Sequence, residues 1–166
     1  RCAALFRLFA KQNLPADEIA IRINQEIFDH GSDDRFITCI LGWFNEDNTI
    51  DFVNCGHNQL LHLSVDKVFE FISSAPPLGV VGGKDFIPQI ESILIKNGDS
   101  VYVSTDGITE AKIKEKEIGM LGLAEIAKRQ NGLSAPERYN QVKDFLSCEA
   151  VLLHDDATLL VILPRR

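Results

Sequence analysis

Between Phe36 and Ser104 the chain is a succession of short apolar runs separated by turn residues, and this feature most restricts the fold. Phe36–Phe44, Thr49–Cys55, Leu60–Leu63, Lys67–Phe71, Phe86–Ile95 and Ser100–Ser104 carry the β-branched, aromatic and apolar residues of strands. The connections, such as Asn45-Glu46-Asp47-Asn48, are too short for crossover helices, so the sheet is predicted to be a largely antiparallel meander. Helical spacing flanks it. Ala3, Ala4, Leu5, Leu8 and Phe9 recur as on the end of an amphipathic helix over residues 1–12, which Asn13-Leu14-Pro15 breaks. A second helix runs from Asp17 to about Phe28 with Ile19, Ile23 and Ile27 on one stripe, and acidic Asp17 and Glu18 suit its N-terminus. A polar loop follows at 29–34.

Residues 119–130 and 135–147 return to helical character, with Ser134-Ala135-Pro136-Glu137 reading as a cap and first turn. The final run, Thr158 to Leu163, is nearly all apolar and is expected to lie centrally in a sheet covered on both faces. Helices, strands, helices, strand is an α+β order. At 166 residues and 45% hydrophobic, one domain spanning 1–166 is expected.

A net charge of −7 argues against nucleic acid as a partner, because the phosphate backbone is held by clustered Lys and Arg. No apolar run approaches the ~18 residues of a membrane span. Four scattered cysteines, Cys2, Cys39, Cys55 and Cys148, suit a reducing cytoplasm, and their spacing does not supply a zinc site. Gly79-Val80-Val81-Gly82-Gly83-Lys84-Asp85 has a phosphate-loop look, but Asp follows the Lys where Ser or Thr is needed, and it reads as a turn. No Ser or Cys sits in a nucleophile motif.

Carboxylates at strand ends are the remaining chemical feature. Val101-Tyr102-Val103 is a short buried strand whose end presents Asp106-Gly107. That dipeptide alone favours a hairpin, yet Ile108 to Lys116 alternates poorly as a returning strand. His154-Asp155-Asp156-Ala157-Thr158 places two adjacent carboxylates before the last strand, which reads either as a solvated turn or as a site where a cation or several donors relieve their repulsion. Hard oxygen donors of this kind suit Mg²⁺ or Mn²⁺.

Gly98-Asp99 through Thr105-Asp106-Gly107-Ile108-Thr109-Glu110-Ala111, then Ile118-Gly119, then Asp155-Asp156-Ala157-Thr158, resembles the SpoIIE-like branch of the metal-dependent (protein phosphatase 2C type) serine/threonine phosphatases. Phe52-Val53-Asn54-Cys55-Gly56-His57 is similar to that branch's Asn-Ala-Gly-His loop, and Pro77-Leu78-Gly79 to its Pro-Leu-Gly turn. The resemblance implies a β-sandwich flanked by helices, of which this chain, starting at Arg1 without the family's Gly-Asp strand and Asp-x-x-Gly-His-Gly loop, holds the C-terminal two thirds.

It further implies hydrolysis of phosphoserine or phosphothreonine by water activated on two Mn²⁺ or Mg²⁺ ions, with no protein nucleophile. Asp106 and Asp155 would be metal ligands, and Gly107, Asp156, Thr158 and His57 would support the loops. His57 could alternatively touch a phosphate. The implied partner is a phosphorylated regulatory protein of a bacterial partner-switching pathway, such as an anti-sigma factor antagonist, with an additional N-terminal sensor or regulatory domain. A degenerate phosphatase-like module that docks a regulator without hydrolysis is the alternative.

Overall fold

The structure, a computed structural model, describes residues 2–30, 36–65, 67–148 and 151–165. In chain order, helices α1 (Cys2–Ala10) and α2 (Ala16–His30) precede strands β1 (Cys39–Phe44), β2 (Thr49–Cys55), β3 (Leu60–Ser64), β4 (Lys67–Phe71), β5 (Glu91–Leu94) and β6 (Ser100–Ser104). A short helix α3 (Asp106–Thr109), strands β7 (Lys112–Ile113) and β8 (Lys116–Glu117), helices α4 (Gly119–Lys128) and α5 (Ala135–Leu146), and strands β9 (Val151–Leu152) and β10 (Leu159–Ile162) complete it. Two compact units result, Arg1–His57 with Ser73–Leu94 and Asn58–Ile72 with Ile95–Arg166. The part of the predicted loop at 31–34 lies outside the described residues, and Asp29 and His30 extend α2.

In the first unit β1, β2 and β5 form an antiparallel sheet in that order, with Phe44 opposite Ile50 and Cys39 opposite Cys55. Asn48, at φ 65°, turns the chain between β1 and β2, a conformation Asn tolerates better than most residues. The α2 stripe packs against this sheet as its spacing requires. Ile19, Ile23 and Ile27 join Leu41, Val53, Leu78 and Phe86 in one core, each isoleucine adding roughly 1.5–3 kcal/mol by leaving water.

Helix α1 contributes Cys2, Leu5, Phe6 and Phe9, whereas Leu8 is 56% exposed, so the packed stripe is rotated from the one expected. Residues 2, 5, 6 and 9 obey the i, i+3, i+4, i+7 rule more closely than a stripe through Leu8. The Arg22 guanidinium lies 5.7 Å from the Phe9 ring centre, and the Trp43 indole N–H donates to the Leu14 carbonyl at 3.1 Å.

Two predicted strands are shorter than their apolar runs. Ile37 makes only an isolated bridge to Leu78, and β1 begins at Cys39. The run from Phe86 pairs only from Glu91, because Pro88 has no N–H for a ladder and Phe86 turns into the core after the 3₁₀ turn Gly83–Asp85.

In the second unit β10, β6, β3 and β4 form an antiparallel sheet in that order. Leu61, Leu63 and Tyr102 pack with Ile108 of α3 and Leu123, Ala124 and Ala127 of α4. Helix α5 opens as predicted, with the Glu137 carboxylate accepting from the Ser134 N–H and hydroxyl at 2.8 and 2.6 Å and Pro136 in its first turn.

The expectation that the last strand is central is overturned. Among the described residues β10 is the sheet edge, and Leu160 is 53% exposed. An all-apolar run records burial potential rather than the number of neighbouring strands, and β6 takes the central place. A three-stranded sheet, β8-β7-β9, went unpredicted because its turn residues are Lys114 and Glu115, at φ 48° and 68°, rather than Asn-Gly. The sheets are antiparallel and carry flanking helices, as expected. Among the described residues no helix is long and apolar enough to cross a membrane.

Candidate functional site

Strand β6 sets the position of Asp106. It is hydrogen-bonded on both sides, to β10 with Ser104 opposite Leu159 and to β3 with Tyr102 opposite Leu61. Val101 and Tyr102 are fully buried, so the strand end is a fixed platform. Thr105 continues extended, and Asp106 then starts a single helical turn in which its carbonyl accepts the Glu110 N–H at 2.7 Å. Asp106-Gly107 is therefore a strand-to-helix junction, and the hairpin of this region lies eight residues on. The Asp106 carboxylate is exposed while Gly107 and Ile108 are buried, and its Oδ1 accepts the Gly107 N–H at 3.0 Å.

The segment Asp155–Thr158 lies directly against this junction. Thr105 stitches the two together: its N–H donates to the Thr158 carbonyl at 3.1 Å, and its hydroxyl accepts the Thr158 N–H at 2.9 Å and donates to the Asp156 carbonyl at 3.1 Å. A Cβ on Gly107 would stand 2.5 Å from the Asp156 carbonyl oxygen and 3.0 Å from that of Asp155. Only glycine permits that approach. Asp155 Oδ1 accepts the Asp156 N–H at 2.7 Å, and both carboxylates are exposed. For Thr158 it is the backbone that is engaged in this stitching. The role of Thr105 was not foreseen, although a hydroxyl residue preceding Asp106 was the available signal.

The structure thus brings the Asp106 and Asp155 segments to one end of the β6–β10 pair. Exposed carboxylates are a suitable hard-oxygen set for Mg²⁺ or Mn²⁺. Ser104 Oγ, at the last position of β6, is buried without a partner among the described residues. The set is partial in number, because among the described residues no group of three or more His, Cys, Asp or Glu side chains is gathered to hold an ion.

The Asn-Cys-Gly-His and Pro-Leu-Gly segments meet in the first unit. Buried Asn54 accepts the His57 N–H on Oδ1 at 2.9 Å, and its carbonyl accepts the N–H groups of Ser74 and Ala75 at 3.1 and 3.0 Å. Gly56, at φ 67°, lies so close to Pro77 that a Cβ would stand 2.5 Å from its ring. His57 Nδ1 and the Thr38 hydroxyl share a 3.3 Å contact. Buried Asn24 of α2, unforeseen from sequence, holds the next turn by accepting the Gly79 N–H and donating to the Val81 carbonyl, both at 2.8 Å.

Asp99 opens β6 at its other end, 3% exposed, with Oδ2 accepting the Lys96 N–H at 3.0 Å and facing His62 Nε2 at 3.1 Å. Burial works to raise its pKa, but the hydrogen bonds from Lys96, Ser64 and His62 prevail and hold it below the usual carboxylate value. A depressed carboxylate contributes stability that is present above its unfolded pKa, about 4, and is lost as pH falls through the lower folded value. Asp99→Ala is expected to cost about 2–3 kcal/mol at pH 7, with the gap to wild type narrowing as pH falls below the unfolded carboxylate value. Urea unfolding of both proteins across that range measures it, and a gap independent of pH would contradict the assignment.

A search of the curated proteins found no match. Among solved structures, the SiaA-PP2C domain of Pseudomonas aeruginosa superposes with a TM-score of 0.71 at 16% identity, over 90% of this chain and 61% of that one. The PP2C phosphatase domain and regulatory-domain fragment of the cell fate determinant SpoIIE from Bacillus subtilis gives 0.77 at 20% identity, over 96% and 47%. RsbX in complex with magnesium gives 0.66 at 18%, over 96% and 70%. The chain therefore has the fold of PP2C phosphatase domains and spans about half to three fifths of the first two structures. The family model of Stage II sporulation protein E (SpoIIE) matches residues 1–164, through both units, and the chain belongs to the SpoIIE family.

Proposed function

We propose that the protein carrying this chain is a cytoplasmic, metal-dependent phosphatase that removes phosphate from phosphoserine or phosphothreonine on a regulatory protein of a partner-switching pathway. The observation that carries the reading is the packing of the Asp106 junction against the Asp155–Thr158 segment at one end of β6 and β10, with Gly107 taking the place a side chain would need. Membership of the SpoIIE family supports it, as do a solved structure described as a PP2C phosphatase domain and another described as RsbX in complex with magnesium. Bound Mn²⁺ or Mg²⁺ would supply Lewis-acid activation of water and offset charge on the phosphoryl oxygens.

In this reading Asp106 and Asp155 hold the cation, while Asp156 and Thr158 brace the loop through the hydrogen bonds made by their backbones to Thr105. Gly107 lets the two acidic segments close on each other. His57, tied through its N–H to Asn54, shapes the loop after β2. No side chain of the set need form a covalent bond to phosphorus.

A second reading, a phosphatase-like module that docks a regulator without hydrolysis, draws on the absence, among the described residues, of three clustered ligands. Dephosphorylation of a phosphoserine protein at millimolar Mn²⁺, alongside pull-down of the same protein, separates the two. Turnover that needs Mn²⁺ supports the enzyme; docking without turnover supports the module.

A further inference from the structure

A cleft of about 480 Å³ opens in the second unit, away from the aspartate segments. Its walls are the Asn97-Gly98-Asp99 turn before β6, the Asn131-Gly132-Leu133 turn between α4 and α5, Arg138, and the Leu163-Pro164 segment after β10. These are the ends of β6 and β10 opposite to Asp106 and Asp155. With β6 five residues long, the two places are separated by at least the roughly 17 Å that ~3.3 Å per residue gives the strand.

Arg138 is the unusual wall. It is 3% exposed, and a guanidinium remains charged at any pH a protein meets. Burial of such a charge is costly unless an anion faces it. Among the described residues no carboxylate pairs with Arg138; its partners are neutral oxygens, the Leu133 carbonyl to Nε at 2.9 Å and the Ser100 and Tyr102 hydroxyls to Nη1, both at 3.0 Å.

These contacts use Nε and Nη1, and Nη2 makes no hydrogen bond to another described residue; it keeps access to solvent, since Ser104 Oγ alone is buried without a partner among the described residues. The group is also fixed in place. Tyr102 donates to Gln130 Oε1 at 2.9 Å, and Gln130 Nε2 returns a bond to the Arg138 carbonyl at 3.1 Å, so a buried ring of side chains clamps the guanidinium. We propose that this cleft is a binding site for a small organic anion whose carboxylate or phosphate group completes the coordination of Arg138.

The neighbouring charge limits the ligand class. Asp99 also lines the cleft, but its Oδ2 is occupied by the Lys96 N–H and His62. A single anionic group on a compact body fits this balance, whereas a polyanion meets Asp99 and an overall charge of −7. Leu133, Leu163 and Pro164 supply the apolar wall for that body, and a cleft of this size matches those that take small metabolites.

The test is an amide and Arg Nε–H nuclear magnetic resonance titration of the 166-residue chain with inorganic phosphate, and separately with malonate, at constant ionic strength against chloride. Saturable shifts at Asn97–Asp99, Asn131–Leu133 and Arg138 are expected with at least one of the two anions, and which one responds distinguishes phosphate from carboxylate ligands. Arg138→Lys keeps the charge but loses the planar donor fork, and should weaken binding by about tenfold or more. Asn131→Trp, at an exposed wall position outside the buried ring, should block the cleft while leaving the melting temperature near wild type. Overturning results are shifts that match chloride for both anions, that fail to saturate, that centre elsewhere, or that persist at full affinity in Asn131→Trp.

Discussion

Asp106→Asn is expected to abolish Mn²⁺-dependent phosphatase activity while leaving the fold in place. The substitution keeps the side chain's size and leaves Oδ1 able to accept the Gly107 N–H, seen at 3.0 Å, so the strand-to-helix junction has no reason to move. What it removes is the negative charge at an exposed position on a rigid strand end, on which a divalent ion would depend in the proposed function. Loss of several kcal/mol of transition-state stabilisation corresponds to about a thousandfold or more in kcat/KM. Docking of the protein substrate should survive, because recognition is spread over far more surface than one carboxylate. The check compares turnover, pull-down and melting temperature in wild type and variant. Equal turnover would make Asp106 an ordinary junction residue.

Gly107→Ala is the smallest change expected to affect both fold and activity. Its new methyl would stand 2.5 Å from the Asp156 carbonyl oxygen and 2.8 Å from the carbonyl carbon, both backbone atoms that cannot rotate away. The Asp155–Asp156 backbone must therefore retreat, straining the Thr105 bonds to Asp156 and Thr158. Overpacking of this kind costs about 1–3 kcal/mol. Displacement of one aspartate segment from the other by about an ångström should lower turnover by about a hundredfold. Thermal melting and turnover measured on one preparation test both parts, and wild-type values in both would show that the two segments need not touch.

Much of this architecture was legible because local signals and tertiary demands agreed. Ile19, Ile23 and Ile27 form one stripe and bury one face of α2. The run Val101-Tyr102-Val103 reads as a buried strand and lies between two partners. The Asp106 and Asp155 segments were selected by residue type and are adjacent through backbone contacts.

What escaped was set by residues distant in the chain. Arg138 sits in Ser-Ala-Pro-Glu-Arg-Tyr, which reads as a solvated first turn, and only Ser100, Tyr102 and Gln130 make it interior. The edge position of β10 could not be inferred from its own residues, since five consecutive apolar side chains look alike beside one neighbour or two. Thr105 does not stand out in the sequence, because its importance lies in bonds to a segment more than fifty residues on.

The most direct measurement of the central claim is the site of Mn²⁺ contact on this chain. Paramagnetic broadening of backbone amides, followed as Mn²⁺ is added to the 166-residue chain, reports which residues approach the ion. With a partial ligand set, weak binding is expected. Broadening should nevertheless begin at Asp106–Gly107 and Asp155–Ala157 and should be lost there in Asp106→Asn. Broadening that begins elsewhere, or that leaves these amides sharp at millimolar Mn²⁺, would contradict a metal-holding role for the two aspartates.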